Sequence, residues 1–152
     1  MIRCIQTNSD NADFQQLVIK LDRDLKIRDG EDHSFYAQFN KIDAIKQVVV
    51  AYDGDIAVGC GAIKPFAENA MEVKRMYVLE DRRGEGMASI VLQQLEQWAL
   101  ASNCTRCLLE TGQKQPEAIR LYTKNGYRVI SNFGQYAGVA NSICFEKILL
   151  VE

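Results

Sequence analysis

Apolar residues along this chain recur at a helical spacing, then at the alternation of strands, then in both patterns again. Ile2 to Gln6 alternates briefly and predicts an edge strand. Phe14, Leu17, Val18, Leu21 and Leu25 recur three and four apart, which predicts a helix with Asn8, Ser9 and Asp10 as candidate N-caps. The acidic, flexible run Asp29-Gly30-Glu31-Asp32-His33-Ser34 interrupts that pattern, and Phe35, Tyr36 and Phe39 restart a short helix. Ile45 to Tyr52 is rich in β-branched residues and ends at Asp53-Gly54, a hairpin dipeptide, so Ile56 to Lys64 is expected to pair back across it. Pro65 should end that strand, with Glu68-Asn69 turning into the next. Gly59 and Gly61 lack the helix and third glycine of a dinucleotide fingerprint, which leaves strand flexibility or close packing as their reading.

Glu72 to Val78 alternates again, with Val73, Arg75 and Tyr77 on one face and Glu72, Lys74, Met76 and Val78 on the other. Ala88, Val91, Leu92, Leu95 and Ala99 then form a helical stripe opposed by Gln93, Gln94, Glu96 and Gln97. A helical crossover makes Cys107 to Glu110 a buried strand parallel to Glu72–Val78. Tyr127 to Ile130 and Ile143 to Leu150 form a last hairpin around Phe133-Gly134-Gln135-Tyr136. The fold class is therefore α/β (α+β), with a mixed, mostly antiparallel sheet.

Between the strand and the long helix lies Arg82-Arg83-Gly84-Glu85-Gly86-Met87-Ala88. A helix start leaves about four backbone N–H groups without intrahelical partners and carries roughly half a positive charge. Glycines at this point clear side chains from those donors, and arginines can add charge-assisted contacts, so the stretch predicts a phosphate-bearing ligand. In parallel α/β units ligands bind beyond the carboxyl ends of the strands, here between Val78 and Thr111.

Composition narrows the class. The 152 residues, 47% of them hydrophobic, fit one domain spanning 1–152. A net charge of −2 argues against duplex nucleic acid, which needs a concentrated basic face. No run of about 18 apolar residues is present, which argues against a membrane span. The N-terminal MIRCIQTNSDN carries no apolar signal segment and suggests a cytoplasmic protein. Five cysteines read as reduced thiols. Cys104-Thr105-Arg106-Cys107 has metal-like spacing without a second pair, and the one histidine is His33, so no metal is expected.

The spacing Arg83-x-x-Gly86-x-Ala88 after a strand ending in Val78 resembles the acyl-CoA signature of the GNAT superfamily of N-acetyltransferases. The block from Gln115 to Tyr127, with Leu121-Tyr122 followed by Gly126-Tyr127, is similar to a later helix of that family. The resemblance implies a GNAT-like domain of six to seven strands with a central splayed parallel pair and about four helices. It implies acetyl-CoA as co-substrate, contacted by Met76, Tyr77, Val78, Arg82, Arg83, Gly84, Glu85, Gly86, Met87, Ala88, Ser89, Thr111, Gln115, Ala118 and Tyr122. Gln115 departs from the usual Asn but keeps an amide, and Pro116 suits a first helical turn.

The resemblance also implies the chemical roles. The Val78 N–H matches the donor to the thioester carbonyl. Tyr122 matches the general acid for the departing thiolate; its other reading is a packed tyrosine touching the co-substrate. Glu72 matches a strand glutamate used as base. A lysine-like ammonium with a pKa of about 10.4 lies about 4.6 kcal/mol from its neutral form at pH 7, and a carboxylate near its ordinary 4.3 is a poor acceptor for that proton. A base role therefore requires burial or an intervening water; the alternatives are pairing with Lys74 or orienting the substrate. Asp29, Asp32, Tyr36, Lys74, Arg75, Glu110 and Tyr136 are candidate acceptor contacts. Lys74 and Arg75 suit an acidic acceptor, whereas the acidic loop suits a polyamine or lysine side chain. A cysteine-dependent arylamine transferase would need a Cys-His-Asp relay that His33 does not supply. A CoA-binding sensor without turnover is the non-enzymatic alternative. The C-terminal hairpin offers an edge for a homodimer.

Overall fold

The computed structural model describes residues 1–29 and 45–149. Seven strands form one sheet: β1 (Ile2–Thr7), β2 (Gln47–Asp53), β3 (Ile56–Ala67), β4 (Ala70–Val78), β5 (Arg106–Gly112), β6 (Arg128–Ile130) and β7 (Ser142–Ile148), in the spatial order β1-β2-β3-β4-β5-β7-β6. Three α-helices are present among the described residues: α1 (Ala12–Asp29), α2 (Met87–Ala101) and α3 (Pro116–Lys124). The β4–β5 pair is parallel and every other pairing is antiparallel, as expected from the helical crossover. The predicted second helix over Phe35–Phe39 lies outside the described residues.

Each face of the sheet has its own core. On one side Val91, Leu92, Leu95 and Ala99 of α2 are fully buried against Val49, Ile63, Val73 and Leu109. Burying a Val or Leu side chain contributes roughly 1.5–3 kcal/mol, far more than the few tenths that separate residue propensities, so packing rather than propensity holds this helix. On the other side Phe14, Leu17 and Val18 of α1 pack on Val48, Val50, Cys60 and Tyr77.

Three local expectations are corrected. Asn11, one residue past the predicted caps, accepts the Phe14 N–H at 2.9 Å and caps α1, while Asn8 turns onto the Asp10 N–H. Pro65 does not end β3; it pairs with Met71, beyond the last β2 partner at Ile63, where its missing N–H leaves no ladder unpaired. The third correction is the alternation of β4. Cys60 pairs with Tyr77 and Ala62 with Lys74, so Gly61 alone opposes Arg75 and Met76. That extra residue is a bulge, with Arg75 at φ 61°. It inverts the face order: Glu72, Lys74, Arg75 and Tyr77 lie on the α1 side, while Val73, Met76 and Val78 join the α2 core. Gly61 is required by close packing, since a Cβ there would stand 2.5 Å from Met76 Sδ and 2.8 Å from Leu95 Cδ1.

Candidate active site

The site follows from where β4 and β5 part. Their parallel register runs only through Ala70–Arg106, Met71–Cys107 and Glu72–Leu108. Beyond Glu72 the strands diverge, and a cavity of about 530 Å³ opens between them. It is lined from the α2 end by Arg82, Arg83, Gly84, Gly86, Met87, Ala88 and Ser89, along the gap by Met76, Tyr77, Val78, Thr111, Gln115, Ala118 and Tyr122, and towards α1 by Glu72, Lys74, Arg75, Glu110 and Tyr136. Sequence-predicted residues separated by more than 60 positions thus share one wall. Glu85 is exposed and outside that lining, paired with Arg82. Asp32 and Tyr36 lie outside the described residues; Asp29 is the last residue of α1.

At the α2 end the cradle is made of backbone. Gly84 and Gly86 take φ of 83° and 85°, and a Cβ on either would meet nothing within 4 Å, so the space over the turn is clear. Ile90 N–H donates to Gly86 O at 3.1 Å as the first bond of the helix, which leaves the N–H groups of Met87, Ala88 and Ser89 ahead of it. The arginines are occupied by the protein itself. Arg82 pairs with Asp53 at 2.8 Å and with Glu85. Arg83 donates from Nε to the Val78 carbonyl at 2.9 Å, pairs with Asp24 at 3.1 Å and lies over the Tyr77 ring. Asn125 donates to Ser89 Oγ at 3.1 Å and so fixes α3 against the start of α2.

In the gap, Leu79 N–H donates to Val58 O at 2.9 Å. Successive amides of a strand point to opposite edges, so the Val78 N–H faces the side that β5 has vacated. Tyr122 is buried between the rings of Tyr127 and Phe145, at centroid distances of 5.8 and 6.1 Å, and lines the gap. Burial, and then the charge of Glu110, hold its hydroxyl protonated well above the ordinary tyrosine range.

Towards α1 the site is made of side chains. Cys107 and Leu109 enter the α2 core, so Glu110 shares the opposite face with Glu72. Glu72 is 2% exposed, and its Oε2 accepts from the Tyr136 hydroxyl at 3.4 Å with Lys74 Nζ at 3.8 Å. Burial pushes the Lys74 ammonium below its ordinary pKa against the raising effect of Glu72, and burial followed by Glu72 and Glu110 pushes Tyr136 up. Tyr136 is held by Phe133 at 5.6 Å, which rests on Phe66 at 4.9 Å from the stretch of β3 beyond Pro65. Arg28 of α1 and Glu117 of α3 pair across the cavity.

Several contributors were not singled out in the sequence. Asp22, Asp24 and Asp53 position arginines 53, 59 and 29 residues away, and as acids on a polar helix face or in a turn they carry no local signal. Asn125 precedes the predicted Gly126-Tyr127 pair, and its helix-end position was the available clue. Among the described residues no group of three His, Cys, Asp or Glu side chains is placed to hold a metal, and no helix is long and apolar enough to cross a membrane.

Comparison with known proteins shows the family and the fold. The model of the acetyltransferase (GNAT) family matches residues 14–127. An IAA acetyltransferase of Azospirillum brasilense is 38% identical over 102 residues, 66% of this chain and 67% of that protein. Among solved structures, a candidate acyl-CoA N-acyltransferase of Klebsiella pneumoniae superposes with a TM-score of 0.83 at 28% identity over 99% of both chains. The PaiA N-acetyltransferase of Thermoplasma acidophilum, solved with coenzyme A, shares the fold with a TM-score of 0.72 at 17% identity over 97% of this chain and 99% of its own. With a glycine-built helix start, a splayed parallel pair and a family match over residues 14–127, this chain belongs to the GNAT family of acetyltransferases.

Proposed function

We propose that the protein uses acetyl-CoA to acetylate a primary amine by direct transfer within a ternary complex. The observation that carries this reading is the continuity of the cavity, which joins the Gly84–Ser89 turn to Glu72 through the gap beside Val78. A diphosphate fits the turn because both glycines leave it clear and the α2 amides point out of it. With Arg82 and Arg83 already paired, backbone N–H groups rather than guanidinium groups provide the main hold.

When bound, acetyl-CoA supplies an activated thioester. The Val78 N–H, directed at the gap, stabilises negative charge on the thioester oxygen; one such preorganised donor is worth roughly 3 kcal/mol in other enzymes. The arginine bond to the Val78 carbonyl restrains the adjoining Val78–Leu79 peptide unit. Glu72 takes the proton of the attacking nitrogen, and Tyr136 and Lys74 hold its carboxylate in place. Tyr122 donates to sulfur as the carbon–sulfur bond breaks. Its raised pKa makes it a reluctant acid: a thiolate, whose thiol ionises at about 8.5, is the weaker base, so full transfer runs uphill and the help lies mainly in the hydrogen bond the hydroxyl donates to the departing sulfur.

Acetyl-CoA binding measured beside CoA release over an amine panel tests this reading. Binding with turnover of at least one amine is expected; absence of acetyl-CoA binding would overturn it, and tight binding with no amine turned over would favour a sensor.

A further inference from the structure

The bulge in β4 places two successive cations on one wall of the cavity. In an unbroken strand Lys74 and Arg75 would point to opposite faces. Here Arg75 adopts φ 61°, a conformation that a side-chain-bearing residue takes against strain, and both residues line the cavity on the α1 side. The bulge is held from across the ladder, where Cys60 Sγ donates to the Arg75 carbonyl at 3.4 Å and Gly61 has no room for a Cβ. Strain of this kind persists where the surrounding structure enforces it, and it concentrates at binding sites.

The two cations are deeply buried, with side-chain exposures of 8% for Lys74 and 2% for Arg75. Adjacent like charges removed from water are unfavourable unless anions meet them. Asp22, itself 48% exposed, takes one end of the guanidinium through Nη1 at 2.8 Å. Arg75 Nε is buried and has no hydrogen-bond partner among the described residues. Buried donors nearly always have one, so this atom marks a place where the described residues do not complete the contacts.

We propose that Lys74 and Arg75 form a carboxylate receptor, and that the acceptor is a small amine that also carries a carboxylate. This rests on the acetyl-transfer reading above. A planar carboxylate matches the fork of a guanidinium, and the neighbouring ammonium, which also faces Glu72, adds a second donor. With the carboxylate there, the acceptor nitrogen is directed towards Glu72, on the same face two residues earlier in β4. A polyamine would set its second ammonium against Lys74 and Arg75, so the structure favours the amino-carboxylate over the polyamine.

The test compares acceptors sharing one skeleton: an amino acid, its carboxamide and its decarboxylated amine, assayed by CoA release at saturating acetyl-CoA with the whole chain. The carboxylate form is expected to show a kcat/KM at least tenfold above the other two, carried mainly by KM. The carboxamide is the more easily deprotonated amine, so such an advantage does not come from basicity. Lys74→Met and Arg75→Gln should each reduce the ratio severalfold while leaving acetyl-CoA affinity intact. Should either variant fail to fold, the wild-type series decides alone. Equal or better use of the carboxamide or amine would overturn the proposal, as would a carboxylate preference that survives both substitutions, or acetyl-CoA binding with no carboxylate acceptor used. Loss of acetyl-CoA binding in the wild-type protein would instead sink the acetyl-transfer reading itself.

Discussion

The two ends of the cavity are built from different material. At the α2 end the cavity is bordered by Gly84, Gly86 and the first turn of α2, whose leading backbone amides lie ahead of the first helical bond, and the arginines nearby are committed to the protein. At the α1 end the wall carries charged and hydroxyl side chains, Glu72, Lys74, Arg75, Glu110 and Tyr136, gathered from β4, β5 and the β6–β7 connection. A backbone site accepts any ligand with the same diphosphate and tolerates sequence change outside its glycines. A side-chain site discriminates, and depends on residues far away that hold it.

That contrast predicts separable failures. The largest belongs to the α1 end: Glu72→Gln should lower kcat by roughly 10²–10⁴-fold, the usual worth of a positioned general base, and leave the acetyl-CoA Kd within about twofold. Steady-state kinetics beside calorimetry checks both numbers. Gly86→Val is the reciprocal experiment. A β-branched residue is strained at φ 85° and would turn amides away from the diphosphate, so acetyl-CoA affinity should fall roughly a hundredfold, the worth of one or two hydrogen bonds to a charged group. A Cβ there displaces no neighbour, but the backbone strain itself, on the order of 1–3 kcal/mol, should lower the melting temperature by several degrees.

Between the ends, Tyr122→Phe should lower kcat about tenfold or more with acetyl-CoA affinity nearly unchanged, since only a proton donor is removed. Unchanged turnover in that variant would reduce Tyr122 to packing.

The smallest effect is a stability one, and it is read most directly at Cys60, beneath the α1 end. Burial pushes the Cys60 thiol, beneath the Arg75 carbonyl, from 9.0 to about 12. A pKa raised on folding means the native state holds the proton more tightly, so this contribution is complete below pH 9.0 and is lost as pH climbs towards about 12. The raised hydroxyls of Tyr122 and Tyr136 act in the same direction above their ordinary range. Lys74, held low, acts oppositely, its contribution growing as pH rises towards its ordinary value. Denaturant midpoints are expected to fall between pH 9 and 12, less steeply in Cys60→Ala.

The same contrast explains what was legible in the sequence. Glycine spacing ahead of an apolar helical stripe encodes the backbone cradle locally, so residues 82–89 could be placed without coordinates. The β2–β3 hairpin and the parallel β4–β5 pair could be derived because a hairpin turn and a helical crossover leave few topologies, whereas the seating of β7 between β5 and β6 carried no local signal. The α1 end resisted because the face of each residue depends on a bulge. Strict alternation put Arg75 with Val73 and Met76 with Glu72, and one extra residue opposite Gly61 reversed both. Pro65 misled similarly, since its tolerance depends on β2 having already ended. Asp22 and Asp24 could not be found from sequence, because an acid on the polar face of a helix looks the same whether or not an arginine lies opposite.

Calorimetric titration of acetyl-CoA into the wild-type, Gly86→Val and Glu72→Gln proteins tests the central claim most directly. One-site binding to the wild-type and Glu72→Gln proteins, with affinity lost in Gly86→Val, is predicted. No heat with the wild-type chain, or binding that survives in Gly86→Val and disappears in Glu72→Gln, would contradict a backbone-built cradle opening onto a side-chain-built acceptor site.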